Sequence, residues 1–265
     1  MGGNTEIELK LRFKDPKLWA GITKDPLLQE ITVPGSQKEE TLISVYLDTP
    51  SYALKNRGIA YRIRHNDGEW VATVKAGGTS GGGLHERKEW SIVVASPQPD
   101  ITVFPKNLTG FDLREITGQE TLTELFKTSF KRKSLMLKLP EGGEIEFCAD
   151  KGWVIAGAKV KPLREIELEL KGAKSAAALK LGADLARKYP LLPEPRSKYY
   201  QGLKLAGLES WEDNNKADMG TDLLHLLERE VAGLGETGVL KEKIRREMFT
   251  PLLLETWAWC LETRE

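Results

Sequence analysis

From Glu6 to Phe13 the chain alternates strictly. Ile7, Leu9, Leu11 and Phe13 fall on one side, and Glu6, Glu8, Lys10 and Arg12 on the other. A period of two predicts a β-strand with one apolar and one charged face. The pattern returns at Leu163–Leu170, where Ile166, Leu168 and Leu170 share one face and Glu165, Glu167 and Glu169 the other. Further strands are predicted at Leu42–Asp48, Gly58–Arg64, Glu69–Ala76, Glu86–Val94, Phe130–Leu139 and Glu144–Asp150. Turn signals predict hairpins at Asn66-Asp67-Gly68, at Glu141-Gly142-Gly143, and through Lys151-Gly152 to about Ala158. Helical stretches are predicted at Asp15–Glu30 (interrupted by Pro26), Glu120–Thr128 and Lys174–Tyr189, the last stopped by Pro190.

About eight mostly antiparallel strands with a few helices define an α+β chain. Strand faces this rich in charge need a wet environment. A closed barrel with a hydrated lumen and helices packed outside supplies one, and an open sheet with one solvated face is the alternative. Residues 208–219 are polar and read as a linker. Beyond them the period changes. Leu223, Leu224, Leu226, Leu227 and Val231 are spaced for a helix face, and Glu242–Glu262 is a second helical stretch with Pro251 as a break or kink. Residues 220–265 therefore read as a helical appendage or the first part of a larger helical domain.

Composition narrows the function. Lys+Arg 39 equals Asp+Glu 39, so no global charge favours nucleic acid or a membrane surface. No apolar run spans a bilayer and no signal-peptide pattern is present, so a cytoplasmic location is expected. Cys148 and Cys260 are too few and too far apart for a disulfide framework or a zinc site. His65, His85 and His225 are scattered, which argues against a histidine-rich metal centre.

The charge is segregated along the strands instead. Three glutamates in a row on one face repel one another unless a cation neutralises them, and hard divalent cations prefer oxygen ligands. Solvated edge strands are the plain alternative for either glutamate-rich strand taken alone. Basic residues fill the same kind of face elsewhere: Arg62 with Arg64, Lys75 with Thr73, Arg87 with Glu89, and Arg132 at the start of its strand. Glu144, Glu146, Cys148 and Asp150 share another face. Guanidinium forks and ammoniums bind phosphoryl oxygens, and carboxylates bind a metal that binds phosphate in turn. A polyphosphate satisfies both sets. Gly77-Gly-Thr-Ser-Gly-Gly-Gly83 lacks the Gly-Lys-Ser/Thr ending of a P-loop and reads as a mobile connection. An RNA-binding sheet would show aromatics on its basic face, and here the aromatics lie opposite the arginines.

Glu6-Ile-Glu8-Leu-Lys10 resembles the ExExK signature of the CYTH superfamily, the triphosphate tunnel metalloenzymes. Tyr46-Leu-Asp48-Thr, Tyr61-Arg62-Ile-Arg64, Thr73-Val-Lys75, Arg87-Lys-Glu89, Arg132, Asp150, Glu165-Ile-Glu167-Leu-Glu169 and Ser197-Lys198 follow in the family's order over about residues 4–205. With Gly83-Leu-His85, the set is most similar to bacterial inorganic triphosphatases carrying an N-terminal CYTH domain and a C-terminal CHAD domain. The resemblance implies a tunnel domain over 1–207, an eight-stranded barrel, and hydrolysis of inorganic triphosphate or a related polyphosphate with two Mg²⁺ or Mn²⁺ ions. Residues 220–265 are shorter and poorer in histidine and basic residues than a full CHAD domain.

The resemblance also implies roles. Glu6, Glu8, Glu165 and Glu167 would bind metal, with Glu169 and Asp150 as further candidates. Lys10, Arg62, Arg64, Lys75, Arg87, Arg132 and Lys198 would hold the phosphate chain, with a second metal or Glu89 activating water and Lys75 assisting. Other CYTH activities are alternatives: nucleoside or thiamine triphosphate hydrolysis, or cyclic AMP formation of the class IV type. A non-catalytic polyphosphate-binding module is another. No protein partner is evident.

Overall fold

A computed structural model describes residues 4–66, 68–209 and 249–262. Eight strands form one antiparallel barrel: β1 Asn4–Phe13, β2 Lys38–Asp48, β3 Ile59–Asn66, β4 Glu69–Gly81, β5 Leu84–Val94, β6 Thr123–Lys138, β7 Glu144–Ala156 and β8 Lys159–Lys171. Their order is β5-β4-β3-β2-β6-β7-β8-β1, and pairing of β1 with β5 closes the ring. A short β9, Leu191–Pro193, adds to β1. Among the described residues seven α-helices accompany the barrel: α1 Pro16–Gly21, α2 Pro26–Ile31, α3 Lys106–Thr109, α4 Leu113–Thr117, α5 Ser175–Lys188, α6 Lys198–Ala206 and α7 Thr250–Glu262. Among the described residues, no helix is long and apolar enough to cross a membrane.

Closure turns the alternation of each strand into an inside and an outside. Leu9, Leu11, Phe147, Ile166 and Leu168 point outward into the main core, where α5 lays its alanine- and leucine-rich face over them. A second core lies outside β3–β5, covered by the segment that carries α3 and α4. The third is different. Tyr46, Phe126, Phe130, Val154 and Leu163 cluster with Leu203 of α6, and in the ladders they have the same parity as Arg132, Asp150 and Glu165. This helix therefore covers lumen-facing residues at one end of the barrel. Gly202 makes the approach possible, since a Cβ there would sit 2.0 Å from the Phe126 ring.

Three local predictions need correction. Residues 123–128 are strand, not helix; Phe126, Thr128 and Phe130 follow a period of two, and the helices of this region lie earlier, at α3 and α4. Lys151-Gly152 is not a turn. β7 runs straight through it, and Gly152 is required because a Cβ would lie 2.4 Å from the Phe130 Cα across the ladder. The actual reversal is at Gly157. The glycine-rich stretch is mostly strand, because β4 continues to Gly81 past a bulge between Ala76 and Thr79. Only Gly82 and Gly83, with φ of 51° and 97°, make the turn.

Pro26 begins α2, and Asp25 caps it by accepting from the Leu27 amide at 2.9 Å. Pro251 sits in the first turn of α7, where its missing N–H costs little. Leu254 and Trp257 of α7 join the main core beside α5, and Trp257 closes over Gly82. The predicted helix face Leu223–Val231, residues 242–248, the side chain of Cys260 and nearly all of the 208–219 linker lie outside the described residues.

Leu254 is fully buried. Replacing it with Ala should lower the unfolding free energy by about 2–5 kcal/mol, read from urea denaturation of the whole chain. A change below about 0.5 kcal/mol, the size of an ordinary surface substitution, would show that α7 is not part of the barrel's core.

Candidate active site

The charged faces meet inside the barrel around a cavity of about 670 Å³. Register decides who faces whom. Lys10 lies opposite Glu167, Glu6 opposite Arg87, Lys75 opposite Glu89, and Arg132 opposite Asp150, so these ladder positions bring together opposite charges. Three positions bring carboxylates together: Glu8 with Glu169, Glu146 with Glu169, and Asp150 with Glu165.

The deep part is neutralised by its own residues. Arg132 donates from Nε and Nη2 to both oxygens of Asp150, each at 2.7 Å, and from Nη2 to Glu167 at 2.5 Å. Lys198 opens α6 behind its N-cap Ser197, and its ammonium lies 2.9 Å from Asp150, 2.9 Å from Glu165 and 2.5 Å from Glu167. Lys10 pairs with Glu167 and, at 2.8 Å, with Glu8. Burial opposes the charge on Asp150 and Glu167, yet these cations hold both carboxylates below their ordinary range. Gln201 donates to Glu165 at 2.5 Å; burial still pushes that carboxyl up despite Lys198.

Elsewhere the charges do not balance. Burial, then the neighbouring Arg62 and Arg132 cations, bring the Arg64 guanidinium down to about 9. Its Nε donates to Ser44 at 3.0 Å, a neutral partner. Glu6 is pushed up to about 7, mainly by burial, with Glu8 and Glu89 adding repulsion against the pull of Lys75. Glu169 is also raised by burial, and Glu8 and Glu146 contribute. Lys75 bridges Glu6 at 2.5 Å and Glu89 at 2.6 Å, and burial notwithstanding, Lys75 and Arg62 keep Glu89 firmly ionised. The cavity therefore has one region short of anions, around Arg64, and another short of cations, around Glu6 and Glu169, while, burial notwithstanding, Lys10 holds Glu8 below its ordinary range.

Of the residues singled out in the sequence, twelve line this cavity: Glu6, Glu8, Lys10, Arg62, Arg64, Lys75, Arg87, Glu89, Arg132, Glu167, Glu169 and Lys198. Asp150 and Glu165 lie just behind the lining, buried against Lys198. With Glu167 they offer carboxylate oxygens within 4.8 Å of one another, a group that could hold a metal ion. In this arrangement the Lys198 ammonium already sits among them. Sequence reasoning missed Lys171, which continues the parity of Glu165, Glu167 and Glu169 and pairs with Glu169 at 2.5 Å. It also missed Tyr46 and Tyr199 as lining residues; the former stacks on Phe126 at 4.5 Å. His85 is buried and neutral, its Nε2 donating to the Glu194 carbonyl at 2.9 Å, with burial and Lys10 lowering it to about 3.

A closed antiparallel barrel whose cavity is lined by eight cations and five carboxylates defines a tunnel protein with a highly charged lumen. The CYTH domain family matches residues 4–201, and the chain belongs to that family. The inorganic triphosphatase of Haemophilus influenzae is 32% identical over 166 residues, which make up 63% of this chain and 45% of that protein. The chain thus spans less than half the length of this curated relative. Among solved structures, HpAC1 from Hippeastrum, described with a dominant triphosphatase activity, matches with a TM-score of 0.52 at 17% identity. The match covers 78% of this chain and 98% of that one, a likeness of fold.

The Glu6 shift has a sign that can be tested. Its pKa in the fold lies above the ordinary value of 4.5, so the protonated carboxyl stabilises the fold fully below pH 4.5, and that contribution is lost as pH rises through about 7. Without divalent metal, Glu6→Gln should melt like the wild type at low pH and become the more stable of the two above neutrality. Paired melting curves across this range check it; a difference independent of pH would contradict it.

Proposed function

We propose that the chain is a divalent-metal-dependent triphosphatase, cleaving inorganic triphosphate to diphosphate and phosphate in the barrel. The observation that carries this reading is the double imbalance of the cavity. A bare metal would not use the Arg62–Arg64–Arg132 group, and a bare phosphate would not use Glu6, Glu8 and Glu169. A polyphosphate with its metal ions uses both. Residues 1–207 form the tunnel domain, with α7 docked on it, and a cytoplasmic location fits a substrate of this kind. The triphosphatase activity of the Haemophilus relative supports the same reading.

The carboxylates fit a hard cation, because Glu6 and Glu169 hold protons more tightly than ordinary carboxyls for want of positive charge. Glu6, Glu8, Glu167 and Glu169 would hold Mg²⁺ or Mn²⁺ from the lining, with Asp150 and Glu165 supporting them through Lys198. Bound there, the ions supply charge neutralisation of the phosphoryl oxygens and an acidified water. The remaining work belongs to the chain. Arg62, Arg64, Arg87 and Arg132 grip phosphoryl oxygens, and Lys10, Lys75 and Lys198 add point charges. Lys75, fixed between two glutamates, can stabilise charge developing on a bridging oxygen. Glu89 stays ionised and accepts a hydrogen bond from Ser91 at 2.9 Å. Its weak proton affinity suits orienting the attacking water better than retaining its proton.

Two experiments bear on this. Triphosphate, ATP and thiamine triphosphate should be offered with Mg²⁺ and with Mn²⁺. Release of phosphate from triphosphate alone is expected, EDTA should abolish it, and Glu8→Gln or Glu167→Gln should lose at least about 100-fold, the upper end of what a supporting residue costs a metal site. Turnover in EDTA would sink the metal reading, and preferential turnover of ATP would move the chain to another CYTH activity. Separately, Arg64→Ala should weaken triphosphate binding by about 1.5–3 kcal/mol, while Lys24→Ala, outside the cavity, changes nothing. Equal effects in calorimetry would mean that the phosphate chain does not lie along Arg64.

A further inference from the structure

A second cavity, of about 480 Å³, lies outside the barrel wall, between β3–β5 and the segment carrying α3 and α4. That size is within the range of small-molecule sites. One side is apolar: Trp90 from β5, Ile59 from β3, and Phe111 and Ile116 from the covering segment. The Phe111 ring meets Trp90 edge-on, at 5.8 Å and 89°. The other side is basic, with Arg57, Arg87 and Lys88 against the single carboxylate of Glu86.

Two details set this cavity apart from an ordinary surface groove. Trp90 is 6% exposed, yet its indole N–H has no acceptor. A buried donor without a partner is costly and calls for an explanation. Besides this, the wall beside Arg87 carries no side chains. The β4–β5 ladder skips from Ala76 to Thr79, leaving Gly77 and Gly78 next to Arg87, where a Cβ on Gly78 would lie 2.7 Å from the Arg87 side chain. Arg87 and Thr5 consequently line both the tunnel and this outer cavity.

We propose that the outer cavity binds a nucleoside monophosphate. A planar heterocycle fits the face made by Trp90, Phe111 and Ile116 and offers ring nitrogen or carbonyl acceptors to the Trp90 N–H. Its phosphate is held by Lys88 and Arg87, with Arg57 at the rim. Neither half of the ligand suffices. Free phosphate leaves the aromatic wall unused, and a neutral ring leaves the cations unused. The site does not depend on the hydrolytic reading of the tunnel, since its ligand, its Trp90 donor and two of its three cations lie outside the lumen.

The test is calorimetric titration of the full chain with AMP and UMP, and separately with adenosine and with inorganic phosphate, in EDTA and without triphosphate. At least one nucleotide should bind more tightly than adenosine and phosphate. Lys88→Ala should weaken it about tenfold or more and Trp90→Phe about fivefold, as expected for a charged and a neutral hydrogen bond. Circular dichroism checks that Trp90→Phe folds, and the surface variant Arg57→Ala gives an independent reading. Arg64→Ala, deep in the tunnel, should leave nucleotide binding unchanged. Binding that survives Lys88→Ala and Arg57→Ala but is lost in Arg64→Ala would place the nucleotide in the tunnel and overturn the proposal. Absence of saturable binding of either nucleotide at millimolar concentration would overturn it as well.

Discussion

The ammonium of Lys198 is the contact on which the rest of the lumen depends. It projects from the first turn of α6 and touches Asp150, Glu165 and Glu167, which come from two adjacent strands. Without it, Asp150 would be left to Arg132 alone, and Glu165, facing it across the ladder, would lose its ion-pair partner. Removing one partner from a buried ionic group leaves the other uncompensated, which costs far more than the group contributes when intact. The same lysine couples two structural facts. It seats α6 over the lumen-facing aromatics, and it positions Glu167, which also receives Arg132 and Lys10.

That local neutrality is confined to the surroundings of Lys198. Near Lys198 every carboxylate finds a cation of the protein. Around Glu6 and Glu169 carboxyls hold protons above their ordinary range, and around Arg64 guanidiniums crowd one another. A site that balanced all its charges internally would have no electrostatic reason to take up an ion or an anion. Here the fold neutralises the group around Lys198 and leaves Arg64, Glu6 and Glu169 less well compensated, a division set by strand register.

Much of this was legible in the chain. Glu6–Phe13 and Leu163–Leu170 announce two-faced strands, and parity alone places twelve of the chosen side chains around one cavity. Parity says less about depth along the strand. It gave Glu165 and Glu167 the same face, but could not tell that Gln201 and Lys198 would cover the first and leave the second at the lining. The errors share one cause: glycine and charge were read as local punctuation where tertiary contact decided. Gly152 sits in mid-strand because Phe130 needs the space across the ladder. Gly77 and Gly78 form a bulge within β4, not the start of a loop. Glu120–Thr128 has residues a helix tolerates, yet Phe126 is claimed by the lumen aromatics and by α6. Lys171 was overlooked although it ends a four-residue parity run; a lysine after three glutamates reads as a terminus until the barrel is closed.

The seam of the barrel bears on how the chain reaches this state. β1 is the first strand made, and its two neighbours are β5 and β8. Leu9 pairs with Leu84 on one edge and with Leu168 on the other, so one side of the ladder waits for a segment synthesised more than a hundred residues later. Until then the nascent sheet is open, with Leu9 and Leu11 lacking the cover that α5 later provides. The open edge of β1 carries Glu8, Lys10 and Arg12 in the meantime, charges that disfavour pairing with another copy of the strand. Glu8 and Lys10, which later face the tunnel, thus also place charge on the open edge of the unfinished sheet.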